Sequence, residues 1–161
     1  MINLFLEQYG IEEKNKDLYI KNVASVKVVA LNVPSQVRKG SEVELACLYD
    51  LGNASLYSLK WFYRANDTDL DEQEFFRYTP TIHPVKQFFP LDGINVNINK
   101  SEGGRVVIVE TNGKTTGKYK CEISIEGTFQ TVAAEKLMTV LEEYVFKQPR
   151  FQNLFINVND V

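Results

Sequence analysis

Two cysteines, Cys47 and Cys121, flank the only tryptophan, Trp61, and Tyr119 stands two residues before the second cysteine. Each member of that set answers a packing need. A bridge between the two sulfurs would tie two layers together through the core. An indole between them, much nearer the first, can lie over such a bridge. A tyrosine two residues upstream of the second cysteine can turn its hydroxyl back onto the preceding corner. The interval from Trp61 to Cys121 leaves room for two extra strands before that corner. Two cysteines alone would equally suit a pair of buried thiols; the four residues together do not.

The four positions specify an all-β, variable-type immunoglobulin sandwich: two antiparallel sheets, a disulfide between strands B and F, a tryptophan on strand C and a tyrosine opening strand F. The 161 residues suit one domain with tails. We expect an N-terminal tail over 1–22, the V-like domain over 23–141 and a C-terminal tail over 142–161. At 44% hydrophobic and 12% aromatic, the chain can fill a core. Its formal charge of −3, with scattered Lys and Arg, disfavours nucleic acid as a partner. No apolar run reaches the length of a membrane span.

Three N-x-[ST] sequons, at Asn53, Asn66 and Asn99, fall where the sandwich reading puts loops or strand ends. They favour an extracellular or plasma-membrane-associated glycoprotein, in keeping with a bridge formed under oxidising conditions. The opening MINLFLEQYGIEEKNKDLY carries acidic residues and no signal-peptide apolar region, and the closing FKQPRFQNLFINVNDV has neither a span nor an anchor signal. The expectation is therefore an incomplete gene product.

Along the chain, VKVVALNVPSQV reads as strand A within Ala24–Val37, with Pro34 breaking the ladder and sending the chain to the other sheet as A′. Strand B spans Glu42–Tyr49, with Val43, Leu45 and Cys47 inward. Strand C spans Ser58–Arg64, with Leu59, Trp61 and Tyr63 inward and Lys60, Phe62 and Arg64 outward. C′ is Glu74–Thr79. Pro80, Pro84 and Pro90 predict a ragged C″ region without regular pairing. Ile94, Val96 and Ile98 alternate as strand D, Arg105–Glu110 is strand E, and Thr111–Gly117 is the E–F corner. Strands F and G occupy Lys118–Ile125 and Phe129–Val140.

Catalytic and metal chemistry find little footing. His83 is the only histidine and is followed by Pro84, and no cysteine is spare for a zinc site. Asp69, Asp71, Glu72 and Glu74 lack the glycine and terminal glutamate of a calcium loop, so a solvated acidic turn is expected. Gly103-Gly104 reads as a hairpin turn rather than a phosphate loop. Nucleophile-elbow and triad patterns are missing. We expect no enzyme, no metal and no cofactor.

About two-thirds of the chain, from Val33 to Val140, resembles the beaten path family of arthropod neuronal immunoglobulin proteins. The resemblance lies in CLYDLGNASLYSLKWFYR, EFFRYTP, FPLDGINVNINKS, GKYKCEIS and a later FQT. Its most specific parts are the Cys-x-Tyr-Asp start of the B–C loop, the Leu-Tyr-Ser-x-Lys-Trp strand C and the Glu-Phe-x-Arg-Tyr C′ strand. It implies a secreted or membrane-tethered protein acting in axon guidance and synaptic target choice, through heterophilic binding to a sidestep-family immunoglobulin protein. Family members carry a signal peptide and often a second immunoglobulin-like region, and variable domains usually place Asp where Thr115 stands. With no carboxylate there, the corner is expected to rest on Tyr119.

The expected partner surface is the outer face of strands G, F, C and C′. If Trp61 is buried, parity turns Phe62 outward between Lys60 and Arg64, an aromatic anchor with a charged rim. Lys120 and Glu122 share that face from strand F. In C′, Phe75 and Arg77 lie on one side and Phe76 and Tyr78 on the other; the second pair is taken as the candidate. A homodimer is compatible with this surface. The alternative reading is a soluble extracellular immunoglobulin-like binder with an immune or small-ligand role.

Overall fold

The computed structural model describes residues 26–65 and 71–142; the expected N-terminal tail, the expected C-terminal tail beyond residue 142 and the sequon at Asn66 lie outside them. Among these residues, ten strands form two sheets: β1 (Lys27–Asn32), β2 (Gln36–Arg38), β3 (Val43–Asp50), β4 (Leu56–Arg64), β5 (Gln73–Tyr78), β6 (Lys86–Phe88), β7 (Asn95–Val96), β8 (Arg105–Val109), β9 (Gly117–Ile125) and β10 (Thr131–Leu141). One sheet has the order β1-β3-β8-β7 and the other β2-β10-β9-β4-β5-β6. In strand letters these are A-B-E-D and A′-G-F-C-C′-C″. The fold is a V-type immunoglobulin sandwich.

Alternation builds it. Val43, Leu45 and Cys47 are buried on β3 while Glu42 and Glu44 are exposed, and β9 alternates strictly along its length. Pro34 separates β1, which pairs antiparallel with β3, from β2, which pairs parallel with β10. Proline's missing N–H ends one ladder and the chain crosses to the other sheet.

The Cys47–Cys121 disulfide joins β3 to β9 with Cα atoms 6.3 Å apart. Trp61 is fully buried beside it, and its Nε1 donates to the Gly104 carbonyl at 3.3 Å. That carbonyl also accepts from the Cys47 amide at 2.9 Å. A Cβ at Gly104 would collide with the Cys47 carbonyl oxygen, so only glycine lets β8 start this close to the bridge.

The E–F corner does not rest on Tyr119 alone, contrary to expectation. A short 3-10 turn, Gly113–Thr115, carries a reciprocal cap: the Asn112 side chain accepts from the Lys114 amide, and Thr115 Oγ1 accepts from the Asn112 amide. Thr115 Oγ1 also donates to the Gly93 carbonyl at 2.7 Å, tying the corner to the D side of the sandwich. A buried hydroxyl with two partners does here what a carboxylate would do by ion pairing. Tyr119 adds its own link, donating to the Thr115 carbonyl at 2.5 Å.

Burial, reinforced by neighbouring Tyr63, holds the Tyr119 phenol far above the usual tyrosine range. The folded chain thus keeps this proton at pH values where the unfolded chain loses it. Stability is complete below about pH 10 and falls as pH climbs beyond that. Tyr119→Phe should cost about 1–3 kcal/mol at neutral pH, because the Thr115 carbonyl loses its donor. Urea denaturation should then show the gap between variant and wild type narrowing above pH 10; a gap independent of pH would contradict the assignment.

Two further differences from expectation concern the edges. A short C″ strand does pair: β6 fits three residues between Pro84 and Pro90 and bonds to β5 in register Phe76↔Phe88, Arg77↔Gln87 and Tyr78↔Lys86. Neither proline occupies a pairing position. Strand D is shorter than its alternation implied, ending at Val96. Beyond it the Ser101 hydroxyl donates to the Asn97 carbonyl and accepts from the Val107 amide, taking a backbone donor a longer ladder would have used.

Candidate functional site

The outer face of the six-stranded sheet is organised in cross-strand rows. Register places Arg77, Lys60, Glu122 and Ala133 side by side across β5, β4, β9 and β10. The next row is Glu74, Phe62, Lys120 and Glu135, and the third is Arg64, Lys118 and Leu137. Leu59, Trp61 and Tyr63 are buried beneath, so Lys60, Phe62 and Arg64 point outward as parity required.

Charges of opposite sign engage each other within and between these rows. The Arg64 guanidinium clasps the Glu135 carboxylate at 2.8 and 2.9 Å, and Lys118 adds a contact at 3.7 Å. Arg77 forks onto Glu74 at 2.6 and 2.7 Å. Lys60 lies 3.9 Å from Glu122, and Lys120 pairs with Glu72. The Glu74 partner and burial act oppositely on Arg77, and the carboxylate prevails, raising its pKa. Two of the acids weighed as a calcium cluster, Glu72 and Glu74, are thus committed to cations; Asp69 lies outside the described residues.

Phe62 is outward but not bare. The Lys120 ammonium sits 4.7 Å from its ring centroid, a cation–π cap held in turn by Glu72. Phe76 and Tyr78 correct the expectation for C′. Phe75 and Phe76 are both fully buried, and Tyr78 packs against the core. Trp61 pairs with Phe76 and Phe62 with Glu74, which leaves Phe75 as an extra residue without a partner on β4. This bulge breaks the period of two. Phe75 turns in against Tyr119 at 6.0 Å, edge to face, and the outward C′ side chains are Glu74 and Arg77.

Three exposed aromatics that parity arguments pass over are Tyr57 and Phe129, at the Leu56 end of β4, and Phe89, on the β6 edge level with Glu74. Tyr57 is the extra residue of a bulge in β4, where Leu56 pairs with Ile125 and Ser58 with Ser124. Phe129, in the F–G loop, stacks edge to face on Tyr57 at 5.4 Å. Phe89 comes directly after β6, with the Arg77 guanidinium 5.4 Å from its ring centroid. No alternation would reveal Tyr57, because a bulge is where alternation fails.

Asn53 is exposed in the B–C loop, and Asn99 is exposed beyond β7, on the four-stranded side. Ser101, which completes the second of these sequons, is fully buried. Among the described residues no helix is long and apolar enough to cross a membrane.

No family model and no curated protein sequence matches this chain. Among solved structures it is similar to murine CRIg, with a TM-score of 0.49 and 17% identity, covering 71% of this chain and 98% of that one. The immunoglobulin assignment stands on the strand order and on the bridge between β3 and β9.

Proposed function

We propose that this chain is an extracellular recognition module that binds a protein partner through the outer face of its six-stranded sheet, and that it acts by binding rather than catalysis. One observation carries the reading: neither Asn53 nor Asn99 sits on a strand of that face, where ordered charged rows and aromatics lie side by side. Among the described residues no strand of this face carries a sequon, and such a face can meet another protein, with paired charges setting specificity and register.

The resemblance to the beaten path family narrows the proposal to heterophilic recognition in axon guidance and synaptic target choice, with a sidestep-type immunoglobulin protein as partner. Binding of the secreted domain to cells displaying a panel of neuronal immunoglobulin ectodomains tests it. At least one member should bind. A glycan wedge on the face, Ala133→Asn with Glu135→Thr, should abolish that binding. The same wedge on the other sheet, Glu44→Asn with Ala46→Thr, should leave it within about threefold of wild type. Equal binding by both wedge variants overturns the assignment of the face. No binding across the panel overturns the neuronal reading and leaves the soluble immune or small-ligand binder.

A further inference from the structure

We propose that Asn99 accepts an N-linked glycan only while the chain is unfolded, because folding seals the serine that completes its sequon, whereas Asn53 stays open to modification in the finished domain. Of the proposed function only the secretory route is needed; the partner face plays no part.

Glycosylation replaces one amide proton of the asparagine with a sugar. The Nδ2 atom bonds to the anomeric carbon of an oligosaccharide carried on a lipid-linked pyrophosphate. The bond from that carbon to the pyrophosphate oxygen breaks, and the lipid pyrophosphate leaves. An oligosaccharyltransferase performs this on N-x-[ST] segments, and the hydroxyl two residues downstream is the group it must hold. An acceptor therefore has to present both ends of its sequon, the amide and the hydroxyl.

The folded Asn99 sequon presents only one. Asn99 and Lys100 are exposed, while Ser101 is 0% exposed. The Ser101 hydroxyl donates to the Asn97 carbonyl at 2.8 Å and accepts from the Val107 amide at 3.0 Å. The backbone around it is closed as well. The Asn97 amide donates to the Val107 carbonyl at 2.8 Å, and the Lys100 amide turns back to the Asn97 carbonyl at 3.2 Å. From β6, in the other sheet, the Lys86 ammonium donates to the Ile98 and Ser101 carbonyls at 3.1 and 3.0 Å and pairs with Glu102 at 3.1 Å. Drawing Ser101 out would break both hydroxyl bonds and leave the amide of buried Val107 without its acceptor.

The Asn53 sequon contrasts with this. Asn53 and Ser55 are both exposed in the B–C loop, and the Ser55 carbonyl, not its hydroxyl, is tied down, accepting from the Glu126 amide at 2.9 Å. Both residues the transferase needs are on the surface of the folded domain. Asn99 is thus decided once, by whether transfer or closure of the turn after β7 comes first. A glycan that arrives in time stays outside the sandwich on exposed Asn99; a chain that folds first keeps the position bare.

The test uses the full chain, made without glycans in an oxidising bacterial compartment and offered to purified oligosaccharyltransferase with its lipid-linked donor. One sample is native; the other is reduced, alkylated and unfolded. Mass spectrometry reads occupancy at each asparagine over time. Asn53 should be modified in both samples. Asn99 should be modified in the unfolded chain and at least about 20-fold more slowly in the native one, where transfer waits for a rare local opening. Lys86→Met, which releases the Ile98 and Ser101 carbonyls, should speed native modification of Asn99 by about threefold or more and leave Asn53 unchanged. Native modification of Asn99 within about threefold of the unfolded rate overturns the proposal. So does an unfolded chain that takes no glycan there. Loss of Asn53 modification on folding would make the block general rather than a property of Ser101, and an unchanged native rate in Lys86→Met would remove the turn as its cause; either result also overturns it.

Discussion

Cys47→Ala, expressed in an oxidising compartment, is expected to leave most of the protein unfolded and retained. The bridge spans a sequence separation of 74 residues and joins a central strand of each sheet. In the chain-entropy account, closing a loop of that size raises the unfolded state by about 4–5 kcal/mol. Net stabilities of domains lie at about 5–15 kcal/mol, so the loss consumes a third to nearly all of it. The damage is not confined to entropy. The Cys47 amide and the Trp61 Nε1 converge on the Gly104 carbonyl, so backbone shifts at β3 loosen the indole's seat as well. Secreted yield and the urea midpoint of any recovered protein are the measurements. The double variant Cys47→Ala/Cys121→Ala should be no better, which excludes a stray thiol as the cause. Wild-type yield with an unchanged midpoint would mean that the core holds without its bridge.

The sandwich is legible in the sequence because its defining residues are ones whose chemistry is hard to place elsewhere. A cysteine pair, one indole and a tyrosine hydroxyl each need a specific neighbour, so their order along the chain encodes their positions in space. Strict alternation on β3 and β9 does the rest, since both strands have one buried and one wet face. Pro34 is equally readable: a missing donor has a geometric consequence wherever it falls. The C″ strand is not, because three prolines within a short stretch argue against pairing unless one knows that three residues fit between two of them.

The candidate face is only partly legible, for a reason that recurs at each error. Parity assumes an unbroken period of two, and this sandwich contains bulges on β1, β4 and β5. Each inserts a residue and reverses the expected side of the residues beyond it. On β4 the insertion comes before the Leu59–Arg64 run, so parity places Lys60, Phe62 and Arg64 outward correctly. Tyr57, inside the bulge, is invisible to the same rule. On β5 the insertion falls within the strand: Phe76 and Tyr78 share a side, as parity groups them, but it is the core side, and the extra residue Phe75 turns inward with them instead of facing out beside Arg77. The Thr115 hydroxyl escapes notice differently: its partner, the Gly93 carbonyl, is a backbone group on a distant segment, and no side-chain pattern announces it.

The β5 bulge itself gives the second large effect. Phe75→Ala and Phe76→Ala should each destabilise the domain by about 3–5 kcal/mol, the range for a fully buried phenylalanine. Strict alternation would put one ring in solvent, and truncating an exposed ring costs within about 0.5 kcal/mol. The two readings therefore differ severalfold for one of the pair, whichever way the alternation is phased. Packing says why both rings are inside. Phe76 is opposite Trp61 on the core side of the sheet, while Phe75 meets Tyr119 edge to face at 6.0 Å, beneath the E–F corner. Phe75→Ala should thus also weaken the Tyr119 hydroxyl's hold on the Thr115 carbonyl, and combining it with Tyr119→Phe should cost less than the sum of the two. Chemical denaturation of the two single variants and the double variant measures all three terms. Additivity within about 0.3 kcal/mol would disconnect Phe75 from the corner, and a negligible cost for either alanine would restore the unbroken strand.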